Sequence, residues 1–326
     1  MDLNSYATHS PFSEPAGHAG LLADVPADTP SLHRAVTCTI GHYRAGPTPS
    51  ARQLADIDTR WVDRICATAL ERSPGPLTTE RADPDKVGGC CRDHTLLAVA
   101  ILRQHGIPAR SRVGFAAYLT PGFHHDHVVA ERWSRQEQRW IRFDPEFGAE
   151  QQDVPMHDLP RGAGAPFQTA AQAWLAYRDG HTDLSTYGVM PGHAFLRGPA
   201  FVQRYLLSDL AHLMRTELLL WDVWGPGLDE PAGSGGGAPM GLPHPAQVHT
   251  ESIGATDRLA RLIVAADDGD RGAEEDLATL WATSPQVRPG ARVRTVSPSG
   301  RIGVTDLRAR RTEWAPAADP GLAVLP

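Results

Sequence analysis

The sequence predicts an α+β fold in which a buried helix lies on an antiparallel sheet and a mostly helical extension follows. Three observations carry this. The run 91–102 holds Leu96, Leu97, Val99, Ile101 and Leu102, apolar on nearly every side, and is followed by Gly106, a natural left-handed cap, and Pro108, which cannot continue a helix. Residues 111–119, 126–133 and 140–147 are rich in Val, Phe, Tyr and Trp and are separated by turn-prone stretches, as strands are. Helical character returns at 172–178 and 201–224.

In chain order, residues 1–29 are rich in Pro and Ala without clear periodicity, and an irregular arm is expected there. The core domain should occupy 30–150. It opens with a helix over 50–70, where Leu54, Ile57, Trp61, Ile65 and Leu70 recur at intervals suited to an amphipathic helix. Residues 73–89 read as loop, broken by Pro74, Pro76 and Pro84. A helical extension is expected over 151–230, its main element a single helix across 201–224 that carries Tyr205, Leu206, Leu210, Leu213, Leu218 and Trp221 and stops at Gly225-Pro226. The Gly-Ser-Gly-Gly-Gly run makes 231–248 a flexible Gly/Pro-rich loop. The remainder, 249–326, should hold helices at 255–266 and 273–283 and a hairpin of 291–296 with 301–307.

Composition excludes several classes of partner. A formal charge of −7 and a pI near 6.1 provide no basic surface for nucleic acid or an anionic membrane. No apolar run approaches the roughly 18 residues that span a bilayer. The N-terminal stretch lacks a basic start and an apolar h-region, which predicts a cytoplasmic location by default. Four cysteines, Cys38, Cys66, Cys90 and Cys91, are too few for a disulfide framework in 326 residues, so reduced thiols are expected. Lys86 is the single lysine, and arginine supplies the other basic residues.

The chemistry gathers around Gly88-Gly89-Cys90-Cys91-Arg92-Asp93. Two glycines allow a sharp turn, and the thiol that follows opens a buried helix, where free N–H groups and the helix dipole favour a thiolate. A lone cysteine there would more often be a small core residue. Cys91 is accompanied, however, by His127 in an apolar strand and Asp144 at the end of the next. An imidazole is the base a thiol needs, and a carboxylate fixes the imidazole's tautomer. If Trp133 faces Trp140, Asp144 falls opposite Val129, diagonal to His127 and within reach of it. Cys91 should then have a depressed pKa and Cys90 an ordinary or buried one.

The stretch GGCCRDHTLLAVAILRQHGIPARSRVGF, followed by DHVVAERW and RWIRFDPEF, resembles the core of the transglutaminase-like superfamily. The segment 201–225, ending LLLWDVWG, is similar to a helical extension of bacterial members. The resemblance implies a papain-like core, with Cys91 matching the nucleophile that attacks an amide or ester carbonyl, His127 the base and Asp144 the orienting acid. It also implies a peptide-like or small amide substrate, resolved by water or by an amine. No metal and no organic cofactor are expected, since thiol and imidazole supply nucleophile and acid themselves. Val128 stands where close relatives often carry Trp after the histidine, and no side-chain oxyanion donor is identifiable.

Two rival readings remain. The run His124-His125-Asp126-His127 with Cys90 and Cys91 contains zinc-ligand types, but adjacent thiols at a helix start point in different directions, which disfavours a zinc-dependent hydrolase. A non-catalytic binding or scaffold module of the same fold is the other alternative, against which the intact Cys-His-Asp set counts.

Overall fold

A computed structural model describes residues 2–151, 153–162, 164–192, 196–225 and 253–315. The stretch expected to be flexible, 231–248, lies outside the described residues. The N-terminal segment is more regular than its composition suggests. It forms α1 (Leu3–Tyr6), α2 (Ala19–Ala23) and α3 (Thr29–Thr39), and it buries Tyr6, Phe12, Leu22 and Val25 against the rest of the chain. Periodicity fails there because the elements are too short to display it, and they are tied down by polar contacts. The Tyr6 hydroxyl donates to the Leu213 carbonyl (2.8 Å), and Ser10 donates to Glu217 (2.7 Å).

The helix expected over 50–70 is two helices, α4 (Ala51–Asp56) and α5 (Val62–Arg72), separated from α3 by the short strand β1 (Ile40–His42). Between them the chain is extended at Trp61 (φ −117°). Asp56 accepts a two-pronged ion pair from Arg72 (2.6 and 2.8 Å), which folds the second helix back beside the first. The expected loop 73–89 ends in a strand, β2 (Val87–Gly89), paired in parallel with β1. Its glycines serve close approach rather than a positive φ. A Cβ on Gly88 would sit 2.1 Å from the Gln53 carbonyl oxygen, and one on Gly89 would meet Ile40 and Asp93 below 3.0 Å.

Helix α6 (Cys91–Gln104) is buried almost all round and ends before Gly106, at φ 66°. It packs on an antiparallel sheet of β3 (Ala109–Thr120), β4 (Phe123–Ser134) and β5 (Arg139–Phe143). Trp133 pairs with Trp140 as the parity argument requires. The last strand stops at Phe143 rather than 147, because Pro145 has no N–H for the ladder and Asp144 turns its own N–H to the Met156 carbonyl (2.9 Å). The small pair β6 (Glu150–Gln151) and β7 (Val154–Pro155) follows, and β8 (Phe167–Thr169) then joins the other side of β3.

Beyond it come α7 (Ala170–Arg178), β9 (Tyr187–Gly188), which pairs in parallel with β4, and α8 (Pro199–Leu213). The single helix expected over 201–224 therefore ends eleven residues early. Arg215 takes a left-handed φ of 58°, and Leu218, Leu219 and Leu220 are buried in irregular chain, so the apolar pattern records burial without helix. Its end is β10 (Asp222–Val223), held by the buried Arg60 guanidinium on both carboxylate oxygens of Asp222 (2.9 and 2.7 Å). After α9 (Ile253–Asp267) and α10 (Arg271–Thr283), β10 pairs with β11 (Arg292–Val296), which with β12 (Ile302–Asp306) forms the expected hairpin. A further strand, β13 (Arg311–Trp314), completes a four-stranded sheet.

The arginine-rich composition has a structural use. Glu131, fully buried, accepts from Arg110 (2.7 Å), Arg142 (2.9 Å) and Arg161 (2.7 Å), and Arg112 is clasped by Asp209 (3.0 and 2.8 Å) and Asp267 (2.6 Å). A planar guanidinium can satisfy several carboxylates at fixed angles in a dry interior, where a lysine ammonium could not. These pairs fasten α8 and α9 to the sheet that carries His127. Among the described residues, no helix is long and apolar enough to cross a membrane.

Candidate active site

Cys91 is the first residue of α6, and Cys90 is its N-cap, extended at φ −141°. The Asp93 carboxylate returns to the Cys90 N–H (2.9 Å) and also takes the Arg92 guanidinium (2.8 Å), so the Arg92-Asp93 pair fixes the helix start. His94 adds a second brace, its ring nitrogens facing the carbonyl oxygens of Cys90 (3.0 Å) and Ile40 (3.2 Å). One turn on, the Thr95 hydroxyl donates to the Val128 carbonyl (2.8 Å), which docks the start of α6 beside the residue that follows His127. Among the described residues the Cys91 N–H makes no hydrogen bond, as the first N–H of a helix is free to do.

His127 lies on β4 opposite Gly114, where a Cβ would collide with the Gln168 carbonyl at 2.1 Å. Its Nε2 is 2.6 Å from Asp144 Oδ2, and both side chains are buried. Asp144 is well held. Its other oxygen accepts the Glu146 N–H (3.0 Å), and the Tyr118 hydroxyl donates to Oδ2 at 2.6 Å. Burial alone would raise its pKa, but the His127 charge and these hydrogen bonds hold it below the usual carboxylate range. Burial would likewise lower the pKa of His127, and the Asp144, Glu146 and Asp126 carboxylates overcome it and push it above the ordinary value. With Nε2 on Asp144, Nδ1 is the nitrogen left for a thiol.

The structure thus brings His127 and Asp144 into contact and places Cys91 in the same cluster, where Glu146 and Asp126 act on both thiol and imidazole. Among the described residues no hydrogen bond joins the Cys91 thiol to the His127 ring. The expected depression of the Cys91 pKa is not found. The adjacent Cys90 thiol, burial and the carboxylates of Glu146 and Asp126 push it well up. Cys90 is raised as well: contact with Cys91 favours its thiolate, but burial and Asp93 outweigh this. At the helix start the free N–H groups are outweighed by the Cys90 thiol, by burial and by two acidic neighbours, one of them, Glu146, only two residues beyond Asp144.

Three participants were missed in the sequence. Tyr118 lies within an irregularity in the β3–β4 register between Ala116 and Thr120, so strand parity could not place it. Asp126 adjoins His127, where the sequence marks it only as part of a zinc-ligand run, and its partner is not local: Tyr205 from α8, whose hydroxyl donates to Asp126 Oδ2 (2.6 Å). Among the described residues Glu146 Oε2 is buried without a hydrogen-bond partner, the His94 ring lying 3.9 Å away. The other histidines of the cluster are engaged elsewhere. His124 stacks on Tyr187 at 4.0 Å, and His125 bonds the Val189 carbonyl (3.0 Å) and Thr120 (2.9 Å).

A helix-start thiol packed against a sheet with a His–Asp couple defines a thiol-enzyme class of site. Residues 41–145 match the family model described as the transglutaminase-like superfamily. A crystal structure described as that of "a Putative Cysteine Protease" from Cytophaga hutchinsonii is similar at 19% identity over 45% of this chain, with a TM-score of 0.28. The match takes in 43% of that protein, so less than half of its length is spanned. No curated protein matches the chain.

Proposed function

We propose that the protein is a thiol enzyme that acts on a peptide-like or small amide substrate through a thioester on Cys91. The observation that carries this reading is the buried 2.6 Å His127–Asp144 contact in the cluster that holds the helix-start thiol. Because the adjacent Cys90 thiol, burial and the nearby carboxylates push the Cys91 pKa up, attack takes the general-base form. The Cys91 proton passes to His127 Nδ1 as sulfur bonds to the carbonyl carbon, and the oxyanion meets the free Cys91 N–H. The new imidazolium, stabilised by Asp144, protonates the leaving amine as the C–N bond breaks, leaving a thioester. Water or an amine then attacks, with His127 again as base, and releases acid or amide together with the free thiol.

The acceptor is tested by acylating the full chain with p-nitrophenyl acetate and then offering water alone or hydroxylamine. Hydroxamate formation that outpaces hydrolysis by more than the uncatalysed ratio identifies an acyltransferase, and its absence alongside steady turnover identifies a hydrolase. No acylation at any pH from 6 to 9 would remove both.

A further inference from the structure

We infer that the Tyr43 phenol is the second oxyanion donor, completing with the Cys91 N–H the cradle for a tetrahedral intermediate; the inference rests on the thiol-enzyme reading above. Tyr43 follows directly on β1, whose parallel pairing with β2 sets His42 against Gly89, and its own N–H continues the ladder to the Gly89 carbonyl (2.9 Å). The backbone of Tyr43 is therefore fixed beside the two residues that precede Cys91. Its ring packs against His42 (centroids 5.6 Å, nearly parallel) and Trp221 (6.2 Å, nearly perpendicular), which limits where the hydroxyl can point. The phenol lies within electrostatic reach of Cys90, Cys91 and Asp126. Among the described residues no hydrogen bond holds its oxygen, so its proton is available to a ligand.

The chemistry suits the position. Burial, the two thiols and Asp126 push the phenol pKa far up, against the opposing pull of Arg44, so the hydroxyl stays protonated and donates throughout the working range. A neutral donor costs nothing to the resting thiol, yet strengthens as negative charge develops on the carbonyl oxygen, which is where binding accelerates the reaction. Three other polar rings of this region are committed. Trp221 Nε1 donates to Asp58 (2.8 Å), and the Tyr118 and Tyr205 hydroxyls are spent on Asp144 and Asp126.

Tyr43→Phe in the full chain separates this role from a structural one when two probes of the same thiol are compared. Acetylation by p-nitrophenyl acetate passes through an oxyanion; alkylation by iodoacetamide does not. The variant should acetylate about 100-fold more slowly than the parent, as loss of one such donor does, and alkylate at a rate within about twofold. Tyr43→His, which keeps a ring donor, should recover part of the loss. Unchanged acetylation would overturn the inference, and an equal fall in both rates would do so by assigning Tyr43 to positioning the thiol. A parent protein that alkylates at Cys91 but forms no acetyl-enzyme would sink the thiol-enzyme reading itself and this inference with it.

Discussion

Tyr118 and His127 share one acceptor: the phenol hydroxyl and the imidazole Nε2 each lie 2.6 Å from Oδ2 of Asp144. The carboxylate is therefore held by two donors on the same oxygen, and the strength of its grip on the imidazole depends on the tyrosine.

Tyr118→Phe removes one donor, leaves more of the Asp144 charge to the imidazole and should raise the His127 pKa further. Since the neutral ring is the base, the pH midpoint for acylation should move upward while the plateau rate changes little. Asp144→Asn should instead lower the plateau by about 10⁴-fold, because the ring loses its tautomer and its orientation. A Tyr118→Phe midpoint equal to the parent's would show that the shared oxygen is incidental.

Glu146 raises the pKa of both Cys91 and His127. Neutralising it in Glu146→Gln removes a negative charge that opposes the thiolate and stabilises the imidazolium, so both pKa values should fall. Iodoacetamide alkylation at pH 8 should be faster than in the parent, and the acylation midpoint should shift to lower pH. Slower alkylation would mean that Glu146 positions the thiol rather than suppressing its ionisation.

How much of this was legible in the sequence varies with the range of the interaction. The His127–Asp144 contact could be anticipated because the strand register is local: Trp133 does face Trp140. The electrostatics could not, since the carboxylates that raise the Cys91 pKa come from two different loop and strand ends. Tyr205 reaches Asp126 from α8, 79 residues away along the chain, and nothing in the local pattern of either signals the contact. The strand β2 was hidden because Gly88 and Gly89 suggest a turn, whereas the structure uses them for contact with Gln53 and Ile40. The helix expected to reach 224 failed for a related reason. Leu218, Leu219 and Leu220 are apolar because they are buried, and burial alone does not choose between helix and irregular chain.

His212 is buried, its pKa pushed down to about 4 mainly by burial, with its ring between Ser111 (2.8 Å) and the Leu218 carbonyl (3.1 Å). A histidine depressed on folding contributes stability fully above its unfolded pKa, near 6.5, and loses it as pH falls towards the folded value. Urea unfolding should therefore show stability declining between pH 6.5 and 4, with this group contributing on the order of 3 kcal/mol. His212→Gln should flatten that part of the profile, and an unchanged slope would assign the acid sensitivity to other groups.

The most direct test of the central claim is to locate the acyl group by peptide mapping after p-nitrophenyl acetate treatment of the parent, Cys90→Ser and Cys91→Ala proteins. Only one of the two sulfurs is expected to face His127, because Cys90 is the extended N-cap and Cys91 the first helical residue, so their side chains leave the backbone in different directions. The account predicts acetyl on Cys91 in the parent and in Cys90→Ser, and none in Cys91→Ala. Acetyl on Cys90, with Cys91→Ala still acylated at the parent rate, would contradict it.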